Sequence, residues 1–451
     1  MKNNSGEKKN HLFIISFDAV YEADFEVLKT LPNCQFLIEH GSYSKQVKTI
    51  YPTITYPVHT SIITGCYPDK HGIFHNHPFQ PHIKNDKYKR WFWYHDEIKA
   101  PTLLDVARQN NLKVGSIFWP VTGKAKIAYN LPEIIALPGE NQILKILKAG
   151  SPLFLLLNEL KYRKLRKGIE EPNLANFTTK VSCNLIEKKK PQLGLVHLVT
   201  VDTFRHNHGT HGKKTLEGLR RLDDSLGEIM NAIGRAEIWD ESTIIVTTDH
   251  GQMDCNRYAS INAYFIEAGL QSWQGEQTIT FHAYAQSLGF GAYIHINPEL
   301  VKTTPEFETK LSKVLEQLKE DQIISYVISK EELLQKGCSE EFDFAIESYP
   351  NVYITDSIYH QFHQKSMWMN ELTENERKQI QHDLYYATHG YDNETPGYQN
   401  IFFAYGPNVK KNYDIGPMSM VDIAPTVAKL MNLTFPSCDG IVLTNLLKEE
   451  V

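Results

Sequence analysis

Three short apolar runs, each followed closely by an aspartate, constrain this chain more than any other feature. They cover residues 12–17 ahead of Asp18, residues 194–201 ahead of Asp202, and residues 243–247 ahead of Asp249. Apolar residues that run on without alternating mark strands covered on both faces, the habit of a parallel sheet. Between and around them lie helical patterns. Leu216, Leu219, Leu226, Ile229 and Ile233 keep one helical face apolar, and residues 102–110 and 424–431 read alike. Strands alternating with helices predict an α/β layered core, a mostly parallel sheet between helical layers. In open α/β sheets, ligands gather beyond the carboxyl ends of the strands. Three carboxylates therefore converge on one crevice, where unpaired anions repel, and divalent metal ions are the economical counter-charge.

The stretch 256–384 has a different texture. It holds expected strands at 291–296 and 323–328, a helix at 307–318 and a hairpin-like segment at 342–354. The best ligand candidates flank it on both sides. The expected organisation is thus a metal-binding catalytic core of residues 1–255 and 385–451, with an inserted α+β cap at 256–384. A chain of 451 residues has room for both.

Net charge is −6 and the pI is near 6.3, which leaves no electrostatic footprint for polymeric nucleic acid. Lys188, Lys189 and Lys190 form a short basic run, expected in a solvated loop. The six cysteines are far apart with no CxxC pair, which argues against a thiolate cluster or a dense disulfide scaffold. Residues 12–17 are too few for a signal-peptide core, and no apolar stretch nears the roughly 20 residues of a membrane span. The expected location is cytoplasmic. Oligomeric state is not legible.

Nineteen histidines direct attention to metal ligands. His250 follows Asp249 directly, His206 lies four residues after Asp202, and His389 opens a His-Gly-Tyr-Asp cluster after the cap. Mixed carboxylate and imidazole donors suit zinc or another transition metal better than magnesium. A nucleophile candidate stands in Tyr51-Pro-Thr-Ile-Thr-Tyr-Pro-Val-His59. Pro57 fits a first helical turn and Gly65 a helix exit, so Thr55 falls at or just before the helix N-terminus. Free N–H groups and the dipole favour phosphate there. A threonine at that place is commonly only an N-cap; bound metal would make its hydroxyl a nucleophile.

With Thr53-Ile-Thr55-Tyr-Pro-Val-His59 through Asn76, Ser16-Phe-Asp18, Asp202-Thr-Phe-Arg-His206, Thr248-Asp-His250-Gly and His389-Gly-Tyr-Asp-Asn393, the chain resembles the nucleotide pyrophosphatase/phosphodiesterase family of the alkaline phosphatase superfamily. Phe118-Trp119-Pro120 fits a segment that borders the family's substrate pocket. The resemblance spans about residues 11 to 440 and is weakest in the cap. It implies two zinc ions, with manganese or iron able to use the same ligands. One would be held by Asp202, His206 and His389, the other by Asp18, Thr55, Asp249 and His250. It also implies that Asn76 hydrogen-bonds a phosphate oxygen. Tyr56, Phe118 and Trp119 are the expected stacking surfaces for a nucleotide leaving group.

The activity this implies is hydrolysis of a phosphodiester or pyrophosphate bond in a small molecule such as a nucleotide, through a phospho-threonine on Thr55. A neutral Asn76 suits a diester better than the more highly charged monoester, although Arg205 and Lys124 lie beside motif residues. Phosphomonoesterase and phosphonate hydrolase are the alternatives within the superfamily. A metal-bound binding protein without turnover is the alternative of another class.

Overall fold

The computed structural model describes residues 10–84, 86–274, 277–379 and 385–448. The strand His11–Phe17 lies at the centre of a nine-stranded sheet and is buried along its whole length, as its unbroken apolar sequence requires. It pairs in parallel with Leu193–Leu198 on one side and Ser242–Thr248 on the other. Val114–Ile117 and Tyr129–Leu131 extend the parallel part, while Asn400–Tyr405 runs antiparallel between Ser242–Thr248 and Ser42–Lys48. Helices cover both faces. Lys213–Arg235 buries Leu219, Leu226, Ile229 and Ile233 on one side, and Thr55–Thr64 with Ile423–Leu430 packs on the other. The fold is the mostly parallel α/β architecture that the sequence pattern predicts.

Three local expectations change. The second apolar run is not one strand: pairing stops at Leu198 and a helix, Thr200–His208, begins two residues later. Val201 stays buried against Gly218 of the neighbouring helix, which is why the run looks continuous in sequence. The basic run is not a loop either. Lys188 and Lys189 form the last turn of Asn173–Lys189, where cations complement the helix dipole, and Lys190 caps it. In the middle stretch, Phe344–Ser348 and Val352–Ile354 do not form a hairpin. The first joins a four-stranded antiparallel sheet with Ala283–Ser287, Gly291–Ile296 and Ile324–Ser329; the second pairs in parallel with Arg257–Ala259.

A short clip closes the loop made by the middle stretch. Met253 pairs with Thr388 and Asp254 with Ala387, so the two ends of the middle stretch meet.

Candidate metal and nucleophile site

Sheet register alone juxtaposes two carboxylates. Phe17 is opposite Thr248 on adjacent parallel strands, so Asp18 and Asp249 leave the sheet side by side. Asp249 is fixed by two backbone donors, the N–H of Ala19 at 3.0 Å and of His250 at 2.8 Å, both to Oδ1. Its Oδ2 and the Oδ1 of Asp18 are buried with no hydrogen-bond partner. Ligand atoms of Asp18, Asp249 and His250 lie within 4.8 Å of one another, as do those of Asp202, His250 and His389. Orphaned carboxylate oxygens beside imidazoles are the donor set a divalent cation fits.

Asp202 arrives by another route, on the first turn of the helix Thr200–His208. Four-residue spacing puts His206 on the same face, with Nε2 3.1 Å from Asp202 Oδ1. His206 Nδ1 donates to the carbonyl of Ala387 at 2.7 Å, which leaves Nε2 as the free lone pair. His208 and His211 are exposed, whereas His206 is partly buried beside Asp202. His389 follows directly on the clip, and its ring stacks on His250 with centroids 4.0 Å apart. Gly390, at φ +85°, lets this segment pass: a Cβ there would sit 1.7 Å from the carbonyl oxygen of Leu288.

The charge states show the strain of crowding these groups together. Burial and the Asp202 charge raise the Asp18 carboxyl to about 7, against the pull of His197. Burial and Asp18 hold Asp249 well above the carboxylate range. Burial and His206 bring His389 down to about 3, and burial with His389 and His206 keeps His250 neutral. Burial opposes charge in Asp202 and His206 too, but their mutual attraction wins, lowering the acid and raising the imidazole. A cation between the two groups would remove the repulsion.

Thr55 is the first residue of the helix Thr55–Thr64, and Ile54 is its N-cap, with no side-chain cap bond. The hydroxyl is therefore not used as a cap; Oγ1 stands 3.2 Å from His250 Nε2. Asn76, which lines the crevice, accepts the backbone N–H of Tyr56 through Oδ1 at 2.9 Å, leaving its amide N–H₂ as the donor side.

Two residues escaped the sequence reading. His197, the lone imidazole in Leu193–Leu198, bridges Asp18 at 3.0 Å and Glu133 at 3.2 Å. Burial opposes its protonation, yet the bonds to Asp18 and Glu133 lift it well above the usual histidine range. The Ser16 hydroxyl donates to His59 Nε2 at 2.8 Å, and His59 Nδ1–H donates to the carbonyl of Thr55 at 2.8 Å, bracing the helix start. A polar residue inside an all-apolar strand was the available signal for His197.

The expected aromatic surfaces divide. Phe118 lines the crevice. Trp119 does not: it is wholly buried and packs edge-on against His59. Tyr56 is buried too, its ring covered by Trp91, so it offers no stacking face. Trp91 takes the place on the wall, and its signal was only a Trp-Phe-Trp run. His71 is a core residue bound to Ser61, and His75 binds the carbonyl of Ser287 at 2.8 Å. Arg205 is turned inward to Asp24 and the carbonyl of Ala19, and Lys124 lies over Tyr94; neither lines the crevice.

The crevice is a continuous cavity of about 1150 Å³. Asp18, Thr55, Asn76, Asp202, His206 and His389 lie on its floor; Tyr284 to Gly289 and Tyr353 to Asp356 contribute a wall.

Comparison with known proteins identifies the fold and the family. The human ectonucleotide pyrophosphatase/phosphodiesterase family member 5 is 23% identical over 435 residues, spanning 94% of this chain and 74% of that protein. The Bis(5'-adenosyl)-triphosphatase ENPP4 of Pongo abelii is 23% identical over 440 residues, spanning 94% and 78%. The structure of murine ectonucleotide pyrophosphatase/phosphodiesterase 5, inactive and in complex with AMP, superposes with a TM-score of 0.68 at 19% identity, covering 97% of this chain and all of that one. The model of the type I phosphodiesterase / nucleotide pyrophosphatase family matches residues 12–392, and this chain belongs to that metal-dependent family of phosphoric diester hydrolases.

Proposed function

We propose that this protein hydrolyses a phosphodiester or pyrophosphate bond of a nucleotide-like substrate, with Thr55 as nucleophile. The carrying observation is an uncapped threonine hydroxyl at a helix start, 3.2 Å from an imidazole of an acidic and histidine-rich strand-end cluster. Asp202, His206 and His389 would hold one divalent ion, and Asp18, Thr55, Asp249 and His250 a second, with His250 near both groups. Zinc suits these donors best, and manganese or iron could use them. Bound ions would lower the pKa of the Thr55 hydroxyl and neutralise phosphate charge.

The residues then divide the work. Thr55 Oγ1 forms a bond to phosphorus as the bond to the leaving oxygen breaks, giving a phospho-threonine; water then displaces Thr55 and frees the phosphate product. The amide of Asn76 and the helix N-terminus receive a phosphate oxygen. The neutral amide, with Arg205 and Lys124 turned away, favours a diester over a monoester. Phe118 and Trp91 offer faces for a base. Residues 256–384 act as a cap: their strands make separate sheets, and segments 284–289 and 353–356 wall the crevice. The six cysteines are unpaired thiols, which supports residence in a reducing compartment such as the cytoplasm. Among the described residues, no helix is long and apolar enough to cross a membrane.

The test is a side-by-side assay of a chromogenic nucleotide diester and its monoester after zinc loading, in the native chain and Thr55→Ala. We expect the diester to be preferred and Thr55→Ala to be inactive. Full activity of Thr55→Ala, or a large monoester preference, would overturn this reading. Bound zinc with no ester turned over would favour the binding protein.

A further inference from the structure

The helix Pro152–Tyr162 is apolar on its outside as well as its inside. Phe154, Leu155 and Asn158 face inward. Leu153, Leu156, Leu157 and Leu160 recur at helical spacing on the opposite face and are 71%, 51%, 55% and 62% exposed. The preceding helix, Gln142–Ala149, adds Ile143 and Leu144, at 62% and 55%. Leu165 and Ile169 continue the patch. A helix that is hydrophobic all round belongs in a core or against another apolar phase. Contiguous exposed aliphatic side chains of this kind mark an interaction surface.

Charge narrows the partner. Residues 142–170 hold seven lysines and arginines and two glutamates, in a chain whose net charge is −6. Arg166 and Lys167 pair with those glutamates, whereas Lys148, Arg163 and Lys164 are exposed at the rim of the leucine face. A second copy of the chain docking through a two-fold axis would press this cationic rim against itself. An anionic lipid surface accepts both parts at once, leucines among the acyl chains and ammonium groups at the phosphates. The face also reaches the active crevice, because Ile143, Leu156 and Ile169 line the cavity whose floor carries Thr55 and Asp202.

We propose that the helix pair 142–149 and 152–162, with the basic segment after it, is an interfacial membrane-docking surface that holds the mouth of the crevice against an anionic bilayer. The leucine face enters the headgroup boundary without spanning it. A phosphodiester embedded in or adsorbed to that surface then reaches the crevice without crossing bulk water. The docking itself stands whether or not the hydrolytic reading does.

Flotation of the full chain with vesicles tests this. We expect binding to phosphatidylglycerol vesicles, at least about tenfold weaker binding to phosphatidylcholine, and weakening by salt. Substituting Leu153→Ser, Leu157→Ser and Leu160→Ser together should reduce binding by at least about tenfold, since each buried leucine side chain contributes on that scale. Arg163→Gln with Lys164→Gln should reduce it on the order of tenfold, and by less at high salt. Ile441→Ser, at an equally exposed isoleucine (69%) on another segment, should have no effect. Because the substituted leucines are exposed, thermal melting confirms that each variant is folded. Wild-type protein that stays out of the lipid fraction overturns the proposal. So does a leucine variant that binds as well as wild type, or a wild-type dimer that the leucine substitutions dissociate.

Discussion

Asp18, Asp249, His250 and Thr55 stand on strand ends and a helix start that are buried throughout, whereas Asp202, His206 and His389 are only partly buried. In the first half, Asp18, Asp249 and His250 are set by the register of two adjacent parallel strands, and the start of one helix adds Thr55. The second is assembled from a helix turn and from a segment that returns after more than a hundred residues of intervening chain. One half is thus a property of the sheet, and the other depends on a clip, a glycine and a few hydrogen bonds. The difference teaches where the site tolerates change.

Removal of a group from each half should separate them most clearly. Asp249→Ala takes away a carboxylate locked by two backbone donors, and diester kcat/KM should fall on the order of 10⁴-fold, as for a residue that acts with its partners as a unit. His206→Ala removes one proposed ligand from the partly exposed half, so its loss should be smaller than that of Asp249→Ala, and excess metal should restore much of it. Titrating activity against added zinc for both variants checks this. A larger or unrescuable loss in His206→Ala would reverse the comparison.

Asn76 belongs to neither half. Its amide should contribute charge stabilisation only to the reacting phosphate, so Asn76→Ala should lose about 10²-fold in kcat with the metal content unchanged. Loss of metal in that variant would place Asn76 in the ligand shell instead.

A smaller effect tests the hinge on which the second half turns. In Gly390→Ala the new Cβ meets the carbonyl of Leu288, and the backbone is already at φ +85°. We expect about 1–3 kcal/mol of lost stability by chemical denaturation. Activity should fall through the His389 side, and added zinc should partly restore it. Unchanged stability would mean that residues 288–289 move aside freely.

Legibility follows the same division. Runs 12–17 and 243–247 predicted their strands because side chains covered on both faces leave an unbroken apolar signature, so Asp18 and Asp249 were placed by pattern. The run 194–201 misled, since Val201 is buried by a helix contact rather than by the sheet. Asp202 still comes to lie beside His206, because a four-residue offset brings the two together on a helix. His389 was a candidate from its His-Gly-Tyr-Asp cluster, but only the resemblance grouped it with Asp202 and His206, as no local periodicity reports a pairing between residues 253–254 and 387–388. Trp119 was misjudged for a related reason: an aromatic next to a site reads alike whether it faces the crevice or the core. The outward leucines of Pro152–Tyr162 were invisible for the opposite reason, because a sequence apolar on every side looks buried.

The finest test concerns the protonation of the buried half with the metal stripped away. The Asp18 carboxyl is raised from 3.8 to about 7, mainly by burial and then by Asp202. A carboxyl that binds its proton more tightly in the folded chain favours folding below the unfolded pKa and loses that advantage while the unfolded form alone ionises, so stability must fall as pH rises from about 4 to 7 and level off above. Asp249, held well above the carboxylate range by burial and Asp18, acts in the same direction. Glu171, raised to about 7 by burial, does so too, but it is bonded to Thr200 and is not one of the proposed ligands. Zinc should therefore cancel only part of the slope: the melting temperature of the metal-free chain should decline between pH 4 and 7, and the decline should shrink on metal addition. In Asp18→Asn the metal-free profile should already be flatter, and zinc should change it little. A metal-free slope that Asp18→Asn leaves intact would assign the strain to groups outside the crevice floor, and the contrast between the two halves would lose its electrostatic basis.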